Sequence, residues 1–461
     1  MTELPDRAPR AGAGDPAVRR RTARAARSAV GVLGALAVLP VALAVGSPSA
    51  TATPGQGPVP RPTGPVVAQG PGPVEPGPES PRPDITTADE PGAAPPARPV
   101  ALVTLGDGFL AGEGARWAGN AEGLGGDGGV PAALRDATDR TRTTAGASGA
   151  VPRRVYTDDC RRSDVLTLTT DTVRHHNIAC STAGAEAPSR AVRSHEAQLE
   201  QLRKLAARYD VRTVVVSIGG DDVRLTDTMK ACAAAWRDRT DCSTDRRITG
   251  PAAERVAAVG EKVAAAVASV RAAVEGTGSM PRVVVQSYPL PLASGEPGAT
   301  TRLDENGRDR WGVAGCPFYD RDLRWLATGV GGALNDRIRA AARRSGADFV
   351  DVGGLLEGHQ VCGGQASRTA FAADGTIAAP GAERAEWARY VPRTAAEPPA
   401  DEAREVLYPN YYGQRALKRC LGEVVARLAA VPGAAPVEAV CRGTAGTAPE
   451  EIAVTFPATT G

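Results

Sequence analysis

Short runs of β-branched and other apolar residues recur along the chain between residues 99 and 442. They lack the apolar–polar alternation of a half-exposed strand, which predicts strands of a parallel sheet that is buried on both faces. The predicted strands are residues 100–105, 177–180, 211–217, 282–286 and 349–352.

Longer stretches between and after these runs place apolar residues at the spacing of one helix face. The predicted helices are residues 194–208, 251–275, 321–344 and 411–430. Strands that alternate with helices predict an α/β fold, a doubly wound parallel sheet in three α/β/α layers. Ligands bind such sheets beyond the carboxyl ends of the strands, so function is expected in the segments that follow them.

The first 52 residues have a different pattern. Five arginines between Arg19 and Arg27 precede an apolar run at residues 29–45, and small residues follow at 49–52. This order is typical of a secretory signal peptide. The alternative is a retained N-terminal membrane anchor, although the run is slightly shorter than a comfortable membrane span. Cleavage is the favoured interpretation, and both alternatives predict a secreted or cell-surface protein.

Two further segments are predicted to lie outside the folded domain. Residues 53–98 are rich in proline and glycine and poor in apolar side chains, which predicts a disordered linker. Residues 443–461 predict a flexible C-terminal tail, in which residues 452–456 are apolar enough to dock on the domain. The domain itself is predicted to span residues 99–442.

Charge and cysteine content narrow the functional classes. The 54 Lys and Arg residues and 52 Asp and Glu residues give a formal net charge of +2, which is no basis for nucleic-acid binding. All eight cysteines lie in the predicted domain. In an exported protein an even number predicts disulfides, although spacing alone leaves the pairing open. The sequence has no CxxC motif and only four histidines, so neither a metal site nor a cofactor is predicted.

Four motifs occur in a fixed order, three after predicted strands and one at the start of the last helix. They are GDGFLAGEGA at residues 106–115, ACSTAGA at 179–185, SIGGDDV at 217–223 and YPNYYGQRA at 408–416. These motifs resemble the four blocks of the SGNH (GDSL-type) hydrolases, a family of secreted esterases and lipases. The resemblance extends over residues 99–442. It implies a flavodoxin-like sheet and, in an intact member, hydrolysis of carboxylic esters.

The residues that carry out the chemistry of that family are replaced in this chain. The resemblance places Gly108 at the nucleophilic serine, Tyr408 at the general-base histidine and Asp221 at the oxyanion-binding asparagine. Glycine cannot form an acyl-enzyme, and a phenol with a pKa of about 10 is a poor base at neutral pH. An ionised carboxylate cannot donate to an oxyanion. The oxyanion glycine of the second block corresponds to Thr182 or, with a two-residue shift, to Gly184.

These replacements predict a pseudoenzyme with no intact catalytic residues. In a serine hydrolase, loss of the nucleophile or base alone lowers kcat by on the order of 10⁶. Neither Ser181 nor any histidine has an evident partner for a new catalytic pair. Asp107, Asp221 and Asp222 follow strands at one sheet edge, but Asp107 and Asp222 resemble ordinary family residues and no metal is predicted there. The predicted ligand cleft consists of Asp107, Gly108, Gly184, Gly220, Asp221, Asp222, Tyr408 and Asn410.

The resemblance also implies how the cysteines pair and what the protein does. The implied disulfides are Cys160–Cys180, Cys232–Cys242, Cys316–Cys362 and Cys420–Cys441. The favoured function is an exported, non-catalytic protein that binds a lipid, glycan or protein ligand at the cell exterior. The alternative is an active carboxylic-ester hydrolase that uses displaced catalytic residues.

Overall fold

Seven strands form a single sheet in the computed structural model of the protein. The strands are β1 (Val100–Gly106), β2 (Val173–Asn177), β3 (Asp210–Ser217), β4 (Arg282–Gln286), β5 (Asp348–Asp351), β6 (Glu438–Arg442) and β7 (Ala453–Thr455). The structure describes residues 97–120, 138–141, 158–181, 183–192, 194–294, 316–366, 381–391, 400–433 and 435–457. The predicted leader (1–52) and the predicted linker up to residue 96 lie outside the described residues.

The strand order is β2–β1–β3–β4–β5–β6–β7. Neighbouring strands pair in parallel from β2 across to β6, and only β7 is antiparallel to its neighbour. The order 2-1-3-4-5 is that of flavodoxin-like doubly wound sheets, in which ligands bind beyond the carboxyl ends of the strands. The predicted α/β fold class is therefore confirmed.

Helices cover the sheet. They are α1 (Gly108–Ala111), α2 (Gln198–Arg208), α3 (Leu225–Arg237), α4 (Arg246–Val274), α5 (Asp320–Arg324), α6 (Ala333–Arg344), α7 (Ala400–Glu405) and α8 (Tyr411–Ala430). Helix α4 packs between α2 and α6. The central strands β1 and β3 bury nearly all of their side chains, so both faces of the sheet are covered, as expected for three layers.

Two neighbouring histidines on β2 show which helices cover which face. His175 accepts a hydrogen bond from the backbone N–H of Leu168 (3.2 Å). The side chain of Leu168 lies close to α8, since a Cβ at Gly422 would be 3.9 Å from it. The ring of His176 lies 4.7 Å from the ring of Tyr209, which follows α2. Successive strand residues point to opposite faces, so α2 and α8 lie on opposite sides of this edge.

The second strand differs from its prediction. It was expected at residues 177–180, whereas β2 spans Val173–Asn177. β2 is an edge strand and carries arginine, two histidines and asparagine, polar residues that edge positions tolerate and that hide the strand from an apolar pattern. The predicted strand residues after Asn177 form an extended connection to Cys180, which bridges to Cys160.

The folded region also extends beyond its predicted end. β6 reaches Arg442, and the chain then returns through the short 3-10 helix Pro449–Glu451 to add β7 beside β6. Ile452 is buried in the core. The prediction of a flexible tail is therefore wrong for residues 443–457. Residues 452–456 instead dock on the domain.

Four disulfides connect these elements: Cys160–Cys180, Cys232–Cys242, Cys316–Cys362 and Cys420–Cys441. They are the pairs that the resemblance implied, and they fit a protein that folds in an oxidising compartment. Within the part of the chain that the structure describes, no helix is both long enough and apolar enough to span a membrane.

Candidate functional site

Asp107 and Gly108 follow β1 at the carboxyl edge of the sheet. Gly106 has a φ of +137°, and a Cβ there would overlap the carbonyl oxygen of Ser217 on β3, so only glycine fits. Asp107 accepts a hydrogen bond from the N–H of Phe109 (3.1 Å) and thereby caps α1. Gly108 is therefore the first residue of α1, immediately beyond the strand.

The phenol ring of Tyr408 lies over Gly108. A Cβ on Gly108 would be 3.0 Å from Cε1 and 3.2 Å from the hydroxyl oxygen of Tyr408. The Tyr408 ring also packs on Phe109, with 4.5 Å between centroids. Burial, followed by the charges of Asp221 and Glu113, raises the pKa of Tyr408 well above its ordinary value. The hydroxyl therefore stays protonated at neutral pH and cannot serve as a general base.

The third motif is connected to the first through Tyr288. The N–H of Gly220 donates to the Tyr288 hydroxyl oxygen (2.7 Å), and that hydroxyl donates to the carboxylate of Asp107. Burial, followed by the charge of Asp221, raises the pKa of Asp107 well above its ordinary value. The Gly220 amide and Asp107 are thus engaged inside the protein, beneath the surface where a ligand would sit.

Asp221, at the position of the family's asparagine, is an acid in an unfavourable environment. Its Oδ2 is buried and has no hydrogen-bond partner among the described residues. Burial, then the charges of Asp222 and Glu113, raise the pKa of Asp221 from 3.8 to about 6. At neutral pH the ionised side chain repels a developing oxyanion instead of stabilising it.

Of the two candidate oxyanion positions in the second motif, only Gly184 is described. Thr182 lies outside the described residues. Gly184 faces Asp222, whose Oδ2 would be 3.3 Å from a Cβ at residue 184. Asp222 accepts from the N–H of Ala185 (2.5 Å) and pairs with Lys262 (2.9 Å), so its carboxylate has structural partners.

Asn410 has a structural role at the start of α8. Its side chain accepts from the N–H groups of Tyr412 (3.0 Å) and Gly413 (3.3 Å) and donates to the carbonyl of Glu386 (2.7 Å). These bonds satisfy orphan groups at the helix N-terminus. The side chain is fully buried and is not available to a ligand.

A cavity of about 300 Å³, here called the cleft, lies beside Tyr408. Asp221 and Tyr408 are the only predicted cleft residues that line it, because Asp107, Gly108 and Gly220 are buried beneath. The other lining residues are Glu113 of the first motif, Ser181 of the second motif, and six that the sequence did not indicate: Arg224, Leu225, Thr226, Asp227, Lys230 and Arg404. Several of them lie on or just before α3, a helix that was not predicted.

A buried network of ion pairs supports one wall of the cleft. Arg162 donates to Glu113 (2.7 Å) and to Glu405 (3.3 Å). Arg116 donates to both carboxylate oxygens of Glu405 at 2.9 and 3.0 Å, and Trp117 Nε1 donates to the same carboxylate at 2.6 Å. The partners are far apart in sequence, which is why they were not identified from it.

Ser181 is a cleft hydroxyl beside a carboxylate. Its Oγ donates to Oε2 of Glu113, a contact that the sequence did not indicate. Glu113 is also paired with Arg162 at 2.7 Å. The Glu113 carboxylate is thus shared between the Ser181 hydroxyl and the Arg162 guanidinium.

All four histidines are described, and none lines the cleft. His175 and His176 lie on β2, and His195 pairs with Asp158 at 2.5 Å. His359 lies between the carbonyl groups of Ala385 and Thr444 and stacks on Trp387. Asp158 and His195 lie near Cys160, but that sulfur is bonded to Cys180 and is not a metal ligand.

Comparison with known proteins gives similarity at the level of structure. No family model matches the chain, and no curated protein matches its sequence. The extracellular lipase of Streptomyces rimosus is 16% identical with a TM-score of 0.36, over 68% of this chain and 94% of that chain. The inhibitor-bound M. smegmatis aryl esterase is 14% identical with a TM-score of 0.27, over 71% and 99%. A Sinorhizobium meliloti carbohydrate acetylesterase is 14% identical with a TM-score of 0.23, over 54% and 83%.

Proposed function

We propose that this chain is an exported member of the SGNH group that has lost ester hydrolysis and binds a ligand in the cleft beside Tyr408. The observation that carries the proposal is the position of the Tyr408 ring. It lies against Gly108, where the family's nucleophile and base would meet, and it brings neither a nucleophile nor a base. A site of this kind retains a shaped cavity without the groups that acyl transfer requires.

Other features support export and family membership. The arginine cluster and apolar run at residues 19–45 have the order of a secretory signal, and the four disulfides suit an oxidising exterior. Three of the four family-like motifs follow strands at the carboxyl edge of a sheet with the order 2-1-3-4-5, the edge at which such sheets bind ligands.

The lining of the cleft favours a small polar ligand. Three carboxylates (Glu113, Asp221, Asp227) and three cationic side chains (Arg224, Lys230, Arg404) surround it, and Tyr408 supplies an aromatic surface. A hydroxyl-rich group, such as the end of a glycan, matches carboxylate acceptors and an aromatic face better than an acyl chain does.

One contact favours a second candidate, an active carboxylic-ester hydrolase. Ser181 donates to Glu113 in the cleft, so a hydroxyl and a carboxylate are within hydrogen-bond reach of each other. The ion pair between Glu113 and Arg162 weakens this candidate, because the carboxylate already has a structural partner and no histidine lines the cleft.

The two candidates are separated by ester hydrolysis with a matched variant. The purified chain and its Ser181→Ala variant are assayed with p-nitrophenyl acetate and butyrate. The proposal expects neither protein to exceed the rate in buffer. Hydrolysis by the unaltered chain that Ser181→Ala abolishes would establish the second candidate instead.

Ligand binding is tested by titration calorimetry with maltose, cellobiose and chitobiose. Asp221→Asn removes the charge of a cleft residue, and Asp336→Asn is the matched control because Asp336 is exposed on α6 and does not line the cleft. The proposal expects at least one sugar to bind and Asp221→Asn alone to change its affinity. Equal binding by both variants would place the ligand elsewhere.

A further inference from the structure

A second cavity, of about 660 Å³, lies between β2 and α2 and is here called the β2 cavity. It is bounded by Arg161, by residues 166–167, by residues 175–178 and by the side of α2 that carries Gln201, Lys204 and Arg208. It shares no residue with the cleft beside Tyr408. Two of the four histidines in the chain line it.

The charged side chains of the β2 cavity are mostly positive. Three cations, Arg161, Lys204 and Arg208, face one carboxylate, Glu196. Lys204 pairs with Glu196 at 2.6 Å, so the charge of that carboxylate is already balanced by the lysine. Arg161 donates to the neutral amide oxygen of Gln201 at 2.6 Å. Within the described part of the chain, neither arginine has a carboxylate partner.

Arg161 is held in a conformation that arginine rarely adopts. Its φ is +58°, in the left-handed region, which is sterically unfavourable for a residue with a Cβ. The backbone N–H of Arg161 donates to the carbonyl of Ala179 (3.0 Å), and the adjacent Cys160 is bonded to Cys180. The disulfide and this hydrogen bond fix the strained residue at the rim of the cavity. Strain of this kind is concentrated at functional sites.

His176 supplies a polar atom that has no partner. Its Nε2 is buried and makes no hydrogen bond among the described residues. Its ring rests on Tyr209, with 4.7 Å between centroids. Burial, followed by the charge of Arg161, lowers the pKa of His176, so the ring is neutral at pH 7 when the cavity is empty. A negative charge in the cavity would oppose the effect of the Arg161 charge.

We propose that the β2 cavity binds a tetrahedral oxyanion, the phosphate or sulfate group of a small ester, between Arg161, Arg208 and His176. Guanidinium groups bind the oxygens of such anions in pairs, with short charge-assisted hydrogen bonds. The cavity is larger than one inorganic ion requires, which leaves room beside Tyr209 for the group that carries the ester.

The test is titration calorimetry of the full chain at constant ionic strength, with sodium chloride as the balancing salt. The probes are sulfate, inorganic phosphate, glucose 6-phosphate and glucose. The proposal expects sulfate and both phosphates to bind, glucose not to bind, and glucose 6-phosphate to bind more tightly than inorganic phosphate. Equal affinity for inorganic phosphate and glucose 6-phosphate would contradict the proposal that the ligand is an ester and would indicate a site for the free ion.

Charge-removing variants locate the site. Arg161→Gln and Arg208→Gln are each expected to weaken sulfate binding at least tenfold. Arg203→Gln is the matched control: Arg203 lies on the same helix but does not line the cavity, and it already pairs with Glu200 (2.8 Å). Arg208 is exposed on α2, so its replacement is not expected to impair folding. Absence of sulfate binding, or equal loss in all three variants, would overturn the proposal.

The pH dependence of sulfate binding gives an independent check, because the charge of sulfate is constant between pH 5.5 and 7.5. The titratable and charged groups that line the cavity with His176 are its strand neighbour His175, Arg161, and Glu196, Lys204, Arg208 and Tyr209 on or beside α2. Bound sulfate favours protonated His176, so affinity should fall as the pH rises. His176→Gln should remove this dependence while Arg203→Gln keeps it. A dependence that persists in His176→Gln would exclude His176 from the site.

Discussion

The ring of Tyr408 needs the space that Gly108 leaves, because a Cβ at residue 108 would lie 3.0 Å from its Cε1. The two replacements are therefore coupled through packing as well as through lost chemistry. Gly108→Ser alone is expected to destabilise the protein by about 1–3 kcal/mol through overpacking. In the Tyr408→His background the smaller ring should relieve most of this effect.

A double-mutant cycle in urea measures this coupling directly. Gly250→Ser is the control, since a Cβ at residue 250 would meet nothing within 4 Å. Equal effects of Gly108→Ser in the unaltered chain and in the Tyr408→His variant would contradict the close packing described for this pair.

Asp221 is expected to destabilise the folded protein at neutral pH. Its pKa is raised from 3.8 to about 6, so the folded state binds its proton more tightly than the unfolded state does. Protonation of Asp221 therefore stabilises the folded state fully below pH 3.8, and this stabilisation is lost as the pH rises through about 6. Above that pH the penalty is at most about 3 kcal/mol. Asp221→Asn should therefore raise Tm at pH 7.5, and the gain should vanish near pH 4. A gain independent of pH would exclude ionisation as its cause.

At the scale of elements, the network around Glu405 connects α7 to the segments that carry Arg116 and Arg162. The Glu405 side chain is 0% exposed and has both arginines as partners. Removal of one member of a buried ion pair typically costs about 3–5 kcal/mol, because the other charge is left uncompensated. Glu405→Gln should lower the free energy of unfolding by about this amount.

The control for the buried network is a surface ion pair. Glu357 pairs with Arg442 at 2.6 Å, and both side chains are at least 40% exposed. Exposed pairs contribute up to about 1 kcal/mol, so Glu357→Gln should have a small effect. Similar losses in Glu405→Gln and Glu357→Gln would show that the buried network does not hold α7 in place.

Elements with a strong local signal were predicted well from the sequence. Arg282–Gln286 and Tyr411–Ala430 occur at the expected residues, because an apolar run marks the strand and an apolar face marks the helix. The strand β2 was predicted at the wrong residues because its side chains are polar. The predicted helix at residues 321–344 is interrupted by the π-helical segment Trp325–Gly332, which keeps the apolar character of a helix and so gives no local sign of the change.

At the scale of the whole molecule, the fold class could be predicted from the sequence, whereas most residues that line the candidate site could not. The motifs indicated Gly108, Asp221 and Tyr408. The contact between Ser181 and Glu113, the buried partners of Glu405 and the β2 cavity all join residues that are distant in sequence. Such contacts depend on how the elements pack, which local patterns do not specify.

The central claim is that only the chemistry was lost from an otherwise complete scaffold. The measurement that tests it is hydrolysis of p-nitrophenyl acetate by the unaltered chain and by the Gly108→Ser/Asp221→Asn/Tyr408→His variant. The account predicts no hydrolysis above buffer by the unaltered chain. For the variant it predicts a rate about 10²-fold above that in buffer, a small part of the roughly 10⁶-fold that an intact nucleophile and base supply. Hydrolysis by the unaltered chain at a rate equal to or above that of the variant would contradict it.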